Sequence, residues 1–226
     1  MSYDLNLRTV VPYLGSLPEA ALVTVGLSVL TIVLSLFLGI GGALLRRSRA
    51  VPLRFLGAAY VEFMRNTPLL VLLYLVYFGL PQFGLRLNGF QAALIALTIN
   101  SGAYMTEILR GGLMAIPRGQ YEAAFSQGMT GLQTFRYIVF PQVFRIIYPP
   151  LGNQFIQVVL GSSLASVVAV NDVASWMQTA GSATFRYIET FLVAGIVYVG
   201  LCQAINLARI LTGRLLFGPA NAARSR

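Results

Sequence analysis

The stretch YEAAFSQGMTGLQTFRYIVFP, residues Tyr121 to Pro141, is polar in a chain of 226 residues that is 57% hydrophobic and only 10% charged. A soluble domain carries roughly 25% charged residues, so the chain as a whole has the composition of a membrane protein. The apolar segments on both sides of this stretch are long enough for membrane-spanning helices of about 20 residues. We therefore expect an all-α, polytopic fold that one polar segment interrupts.

Five apolar runs are predicted to be transmembrane helices. They cover about residues 21–45, 55–80, 90–113, 151–170 and 190–216. The polar segment, taken as about residues 118–141, lies between the third and fourth runs. Neither a repeat nor a linker divides the sequence, so residues 1–226 are expected to form a single transmembrane domain.

The formal charge of +9 comes from arginines that lie in the gaps between the apolar runs. This distribution favours a role in membrane topology over nucleic-acid binding. Because basic residues concentrate in cytoplasmic loops, we predict that the N-terminus is outside and that the C-terminus and the polar segment are cytoplasmic. The arginines assigned to the cytoplasmic side are Arg46, Arg47, Arg49, Arg54, Arg110, Arg118, Arg136, Arg145, Arg209, Arg214, Arg224 and Arg226.

Neither lysine nor histidine occurs in the sequence, and Cys202 is the single cysteine. A phosphate-binding P-loop needs a lysine to reach the β and γ phosphates, so ATP hydrolysis by that route is not expected in this chain. Imidazole bases, cysteine–histidine pairs and histidine or cysteine metal sites are disfavoured on the same grounds. We therefore predict no catalytic residue, no metal site and no cofactor bound by this chain, and an intramembrane enzyme is disfavoured.

The polar segment is predicted to form two short helices that are broken near Gly128. Glu122 is expected in the first turn of the first helix, and Thr130 is expected to cap the second. Ala123 and Ala124 leave a surface without bulk, which a groove on another protein can approach closely. An amphipathic connector on the membrane surface explains the same residues, and these features alone leave both interpretations open.

The spacing of the segment adds a resemblance to a known family. Glu122-Ala123-Ala124, three residues, Gly128, nine residues, Ile138, one residue and Phe140-Pro141 resemble the EAA signature of ABC importer permeases, with Phe140 in place of the usual leucine. Three further stretches are similar to the polar amino acid subfamily, which includes histidine and glutamine permeases. They are VEFMRNTPLLVLLYLVYFGLP (residues 61–81), ILRGGLMAIPRGQYEAA (108–124) and SSLASVVAVNDV (162–173).

This resemblance implies a type I importer permease with a MetI-like fold in the bacterial cytoplasmic (inner) membrane. A pair of permease subunits, either two copies or this chain with a related second permease, would form the pathway. Two separate ATPase subunits would bind ATP and Mg, and an extracytoplasmic binding protein would deliver the amino acid. The coupling to the ATPase would fall on Glu122, Ala123, Ala124, Gly128 and Pro141. A permease for another small solute, a channel and a membrane scaffold are the alternatives.

Polar residues inside the apolar runs are candidates for the solute path, because charged and polar groups are costly in lipid. Asn100, Tyr104 and Glu107 recur at helical spacing on one side of the third run. Asn153 and Gln157 share a face of the fourth run, and Pro149 and Pro150 are expected to open that helix. Packing against other helices explains the same spacing, so the pathway role is a hypothesis.

Two further sets of residues are singled out near the ends of the runs. Glu62 and Arg65, three residues apart, are expected to form a local ion pair or to take part in gating. Asp172 is a pathway candidate at the outer end, just before residues 173–185, which are too polar to span. That segment is expected either to close the path from outside or to be a solvated loop.

Overall fold

The computed structural model describes residues 4–218, so Arg224 and Arg226 lie outside the described residues. Short 3₁₀ turns precede the first long helix, and helices follow one another from there to the end of the described chain. The α-helices are α1 (Leu17–Arg46), α2 (Val51–Asn66), α3 (Leu69–Tyr74), α4 (Gly89–Met114), α5 (Arg118–Ser126), α6 (Gly131–Gln133), α7 (Phe140–Ser162), α8 (Val173–Thr184) and α9 (Tyr187–Phe217).

Within the described residues, four helical segments are long and apolar enough to cross a membrane. They are residues 11–46, 89–114, 131–168 and 187–217, and the bent pair α2 and α3 supplies a fifth when it is counted as one span. The expected all-α, polytopic fold is therefore confirmed. Two spans differ from the prediction: the second is broken, and the fourth begins earlier in the chain.

Helices α1 and α4 form the centre of the bundle and run in the same direction. Thr106 Oγ1 donates a hydrogen bond to the Gly39 carbonyl at 3.4 Å, and a Cβ added to Gly39 would lie 2.7 Å from the Met105 Cβ. A Cβ on Gly42 would collide with the Thr106 side chain. Glycine is needed at both positions because the two helices approach too closely for a larger residue, which is the usual role of small residues between membrane helices.

The second span is broken at Thr67-Pro68, where the axis turns by 105° between α2 and α3. Pro68 has no amide hydrogen, so α2 cannot continue through it. The break leaves the last carbonyls of α2 without helical partners, a serious cost where water is scarce.

The carbonyls of residues 62–65 each accept a hydrogen bond from a side chain. Asn66 and Thr67, at the end of α2, supply two of the donors, and α4 supplies the other two. Asn66 Nδ2 donates to Glu62 O at 2.8 Å, Thr67 Oγ1 to Phe63 O at 2.7 Å, Asn100 Nδ2 to Met64 O at 2.9 Å and the Tyr104 hydroxyl to Arg65 O at 3.4 Å.

The fourth span starts earlier than the sequence indicates. The helix that begins at Gly131 passes through a π-helical turn at residues 134–139 and continues as α7. Pro149 and Pro150 therefore lie inside α7, so their expected position at a helix start was wrong. Each proline removes an amide donor from the helix interior, which weakens the backbone ladder at that level.

Helix α8 buries one of its faces in the bundle, so the alternative of a solvated loop for residues 173–185 was wrong. Val173, Trp176 and Ala180 pack with residues of α1 and α9 in one apolar cluster. The indole Nε1 of Trp176 donates a 2.9 Å hydrogen bond to the Tyr13 carbonyl. These contacts hold α8 against the N-terminal ends of α1 and α9.

The close approach of α1 and α4 predicts that Gly39→Leu destabilises the protein by about 1–3 kcal/mol, because the added side chain overpacks the contact with Met105. Gly41→Leu is the matched control, since nothing lies within 4 Å of a Cβ at Gly41. Thermal unfolding of the full-length chain in detergent measures the difference. Equal melting temperatures for the two variants would show that this contact does not hold the bundle together.

Candidate functional site

The polar segment forms a compact elbow, defined here as residues 118–141, that joins α4 to α7. Helix α5 ends at a left-handed Gly128, with φ of +76°. The Gly128 amide donates to the Phe125 carbonyl and the Met129 amide to the Ala124 carbonyl, which satisfies two of the free carbonyls at the helix end. The predicted break near Gly128 is confirmed.

A capping box begins the second helix of the elbow. The Gln133 amide donates to Thr130 Oγ1 at 3.3 Å, and the Thr130 amide donates to Gln133 Oε1 at 2.8 Å. This reciprocal pair satisfies amides that the start of a helix leaves free. The structure thus confirms Thr130 as the capping residue.

The elbow exposes one face and buries the other. Glu122, Ala123, Gly128 and Pro141 are exposed, whereas Ala124 is buried. Glu122 lies beyond the first turn of α5, because that helix begins at Arg118, so its expected interaction with the helix start was wrong. Four of the five residues assigned to coupling are therefore accessible to another molecule.

Large apolar side chains are also exposed on the elbow. Leu132 is 78% exposed and Phe125 is 54% exposed. Tyr137 and Phe140 are exposed on the second helix as well. Apolar side chains clustered on a polar segment in this way are typical of a surface that contacts another protein.

A polar cavity of 300 Å³ lies between the break of the second span, α4 and α7. It contains side-chain amides and hydroxyls but no charged group. The lining comprises Leu69, Leu97, Asn100, Ser101, Tyr104, Gln154, Gln157, Val158 and Gly161. The structure therefore brings three of the predicted pathway residues, Asn100, Tyr104 and Gln157, to one cavity.

Asn100 and Tyr104 also donate hydrogen bonds to the carbonyls of Met64 and Arg65. Each of them therefore both lines the cavity and stabilises the helix break. Gln154 lines the cavity although sequence reasoning favoured Asn153, which is exposed and does not line it. The helical spacing in the sequence was compatible with Gln154 as well as with Asn153. Gln154, Gln157, Val158 and Gly161 follow the i, i+3, i+4, i+7 spacing of one helix face.

Glu107 lies on α4 outside this cavity, in an ion-pair cluster near the elbow. Its Oε2 is 2.6 Å from Arg110 Nη2, and its Oε1 is 3.6 Å from Arg46 Nη2. Both guanidinium groups already engage the carboxylate. This arrangement joins the C-terminal ends of α1 and α4.

Asp172 lies at the opposite end of the bundle and is also separate from the cavity. It is buried and caps α8, with Oδ1 accepting a 2.8 Å hydrogen bond from the Ser175 amide. Burial raises the pKa of Asp172 to about 6. Its neighbours form a second cavity of 340 Å³ that Glu19, Asn171 and Trp176 also line.

Glu62 and Arg65 do not form the local ion pair that their spacing suggested. Glu62 Oε1 instead accepts a 3.0 Å hydrogen bond from Asn66, and no ion pair joins the two residues in the described part of the chain. The Arg65 guanidinium lies 5.3 Å from the centroid of the Tyr104 ring. Arg65 is therefore a neighbour of the polar cavity.

The model of the family "binding-protein-dependent transport system inner membrane component" matches residues 31–214, which include the elbow and all the residues that line the polar cavity. The chain belongs to this family. It is accordingly the membrane-spanning permease component of a transport system, and the three-dimensional arrangement above is that of an importer permease.

This permease is similar to two individual proteins over most of its length. It is 42% identical over 180 residues to the probable glutamine ABC transporter permease protein GlnM of Bacillus subtilis (strain 168), covering 80% of this chain and 83% of the relative. It is 34% identical over 196 residues to the arginine transport system permease protein ArtQ of the same organism, covering 86% and 90%.

A solved structure has the same fold as the permease. The crystal structure of an amino acid ABC transporter with histidines superposes with a TM-score of 0.87 at 34% sequence identity. The match covers 94% of this chain and 99% of the other.

Proposed function

We propose that this permease moves a polar amino acid across the bacterial cytoplasmic membrane as part of an ATP-driven importer, with the 300 Å³ cavity as the place where the solute passes. The observation that carries the proposal is the neutral polar lining of that cavity in a chain 42% identical to a probable glutamine permease. Amide and hydroxyl groups can bind both the main-chain and the side-chain groups of an amino acid.

Arg65 supplies a cationic group beside the cavity. The solute's carboxylate would be attracted to this guanidinium, which is held against the Tyr104 ring at 5.3 Å from its centroid. Gln154 and Gln157 would contact the rest of the solute. An extracytoplasmic binding protein would deliver the solute to the end of the bundle that carries α8.

The partners follow from the surfaces that the chain leaves uncovered. Helix α9 exposes Phe191, Leu192, Ile196 and Val199, which suits contact with a second permease subunit as well as with lipid. The elbow would dock on a separate ATPase subunit, which would bind ATP and Mg, while this chain would bind no cofactor and catalyse no reaction. With the elbow in the cytoplasm, the N-terminus would be outside and the C-terminus inside.

Coupling would be mechanical. The second helix of the elbow continues without interruption into α7, which carries Gln154 and Gln157. A displacement of the elbow would therefore move the cavity lining directly. The cycle requires two arrangements of the spans whose relative free energy the ATPase can reverse.

Substitution of the cavity glutamines tests the pathway. Gln157→Ala and Gln154→Ala should each lower amino acid uptake roughly five- to tenfold, because each removes a polar group from the cavity. Neither glutamine side chain caps the broken helix, so the fold should be retained. Uptake of radiolabelled glutamine and arginine into vesicles that contain the complete transporter is the measurement.

Asn153→Ala is the matched control for these variants, because Asn153 is exposed on the same helix and does not line the cavity. Its uptake should stay within about twofold of the unsubstituted protein. If Asn153→Ala abolished uptake while the two glutamine variants were active, the path would run along the other face of α7.

Substitution of Gly128 tests the docking surface. Gly128→Trp should lower the amount of ATPase subunit that co-purifies by roughly tenfold, because a bulky side chain on the exposed elbow would block the approach of the partner. Gly84→Trp is the control, since Gly84 is also left-handed, with φ of +83°, and also faces open space but lies at the other end of α4. Equal ATPase retention by the two variants would refute docking through the elbow.

A further inference from the structure

Five arginines converge on a single cavity at the elbow end of the bundle. The cavity has a volume of 610 Å³ and lies between the C-terminal end of α1, the start of α2, the end of α4 and the start of α5. Helix ends far apart in the sequence thus bring the same charge to one place. The polar residues of its lining are Arg46, Arg47, Arg54, Arg110, Arg118 and Tyr121.

The carboxylates of the described residues balance only a part of this charge. Glu107 pairs with Arg110 and Arg46. No carboxylate of a described residue lies within ion-pair distance of Arg47, Arg54 or Arg118. Like charges that line one concave surface repel one another. A bound anion would reduce the repulsion.

The donor chemistry points to a phosphate group. A guanidinium presents planar, paired N–H donors that match the oxygens of a phosphate, and such charge-assisted hydrogen bonds are about twice as strong as neutral ones. Tyr121 adds a hydroxyl to the lining. A tetrahedral anion can accept hydrogen bonds from several helices at once, as this geometry requires.

The surroundings of the cavity favour a phosphate that is attached to lipid. Large apolar side chains are exposed around its rim, where α1, α2 and α4 face outward: Leu44 is 66% exposed, Phe55 69% and Met114 70%. The cavity lies at the ends of α1 and α4, both long enough to cross a membrane, which is the depth of the lipid headgroups. Basic pockets between transmembrane helices at this depth are suited to anionic headgroups.

We propose that the arginine cavity binds the phosphate of an anionic phospholipid such as phosphatidylglycerol, with the acyl chains lying along the exposed apolar side chains of α1 and α2. The bound headgroup, with its single negative charge, would offset part of the positive charge of Arg47, Arg54 and Arg118 and would fasten α2 and α5 to the membrane surface beside the elbow. Arg118 and Tyr121 place this site at the start of the elbow, but it is separate from the solute cavity and does not depend on the solute that passes there.

The experiment measures lipid binding by native mass spectrometry of the full-length chain with whatever subunits it retains on purification. After delipidation, phosphatidylglycerol should bind at least about tenfold more tightly than phosphatidylethanolamine with the same acyl chains, because the latter carries a compensating positive charge. The double variant R47Q/R54Q should lose this preference.

The double variant R49Q/R136Q is the matched control. It removes the same charge, and neither Arg49 nor Arg136 lines the cavity. It should retain the preference for phosphatidylglycerol. Melting temperatures show whether both variants are folded, and if R47Q/R54Q unfolds, the single variants Arg47→Gln and Arg49→Gln give the same comparison.

A competition arm separates lipid from soluble phosphate. Glycerol 1-phosphate and inorganic phosphate at millimolar concentration should leave phosphatidylglycerol bound, since they lack acyl chains. Displacement by either compound would assign the cavity to soluble phosphate esters and overturn the lipid assignment. Equal phosphatidylglycerol affinity in the two double variants would overturn the site itself. Uptake is not measured at any stage, so this result is independent of the transport hypothesis.

Discussion

The structure depends on how the chain satisfies backbone carbonyls at the helix break in its second span. A broken helix in a membrane normally leaves carbonyls that no water can reach, and each costs several kcal/mol. Here the carbonyls of residues 62–65 each accept a hydrogen bond from a side chain. Because Asn100 and Tyr104 supply two of these bonds from α4, the break is fixed against the centre of the bundle. The polar cavity exists because the second span turns away at this point.

Helix α7 forms one wall of the polar cavity and also connects the cavity to the elbow. Helix α7 begins at the elbow and reaches Gln157 without a loop, although Pro149 and Pro150 weaken its hydrogen bonding in between. The tight contact of α1 with α4 gives the other wall a fixed position. A movement of the elbow would therefore shift one wall of the cavity relative to the other, which is the geometric requirement for alternating access.

Several features could be predicted from the sequence because they depend on local patterns. Apolar runs of the length of a bilayer indicate the spans, and the spacing from Glu122 to Pro141 identifies the family. The turn at Gly128 and the cap at Thr130 follow from the preferences of single residues.

Features that depend on tertiary contacts could not be obtained in this way. Pro149 and Pro150 are typical of a helix start, yet α7 already begins at Phe140 and continues through both prolines. Residues 173–184 are as polar as a loop, but they form a helix whose apolar face is buried in the cluster around Trp176. Gln154 and Asn153 are adjacent in sequence, and only the rotation of α7 decides which of them lines the cavity. Glu62 could pair with Arg65 at its spacing, but Asn66 competes for the carboxylate.

The accessibility of a single cysteine on the elbow shows whether the elbow lies in the cytoplasm and is covered by the ATPase subunit. Ala123→Cys in a Cys202→Ser background provides that cysteine, and Gly84→Cys provides its counterpart at the other end of α4. A membrane-impermeant maleimide should modify Cys at position 123 only in inside-out vesicles and only after the ATPase has been removed, whereas position 84 should react in intact cells. Modification of position 123 from outside intact cells would show that the elbow is extracytoplasmic and cannot contact the ATPase.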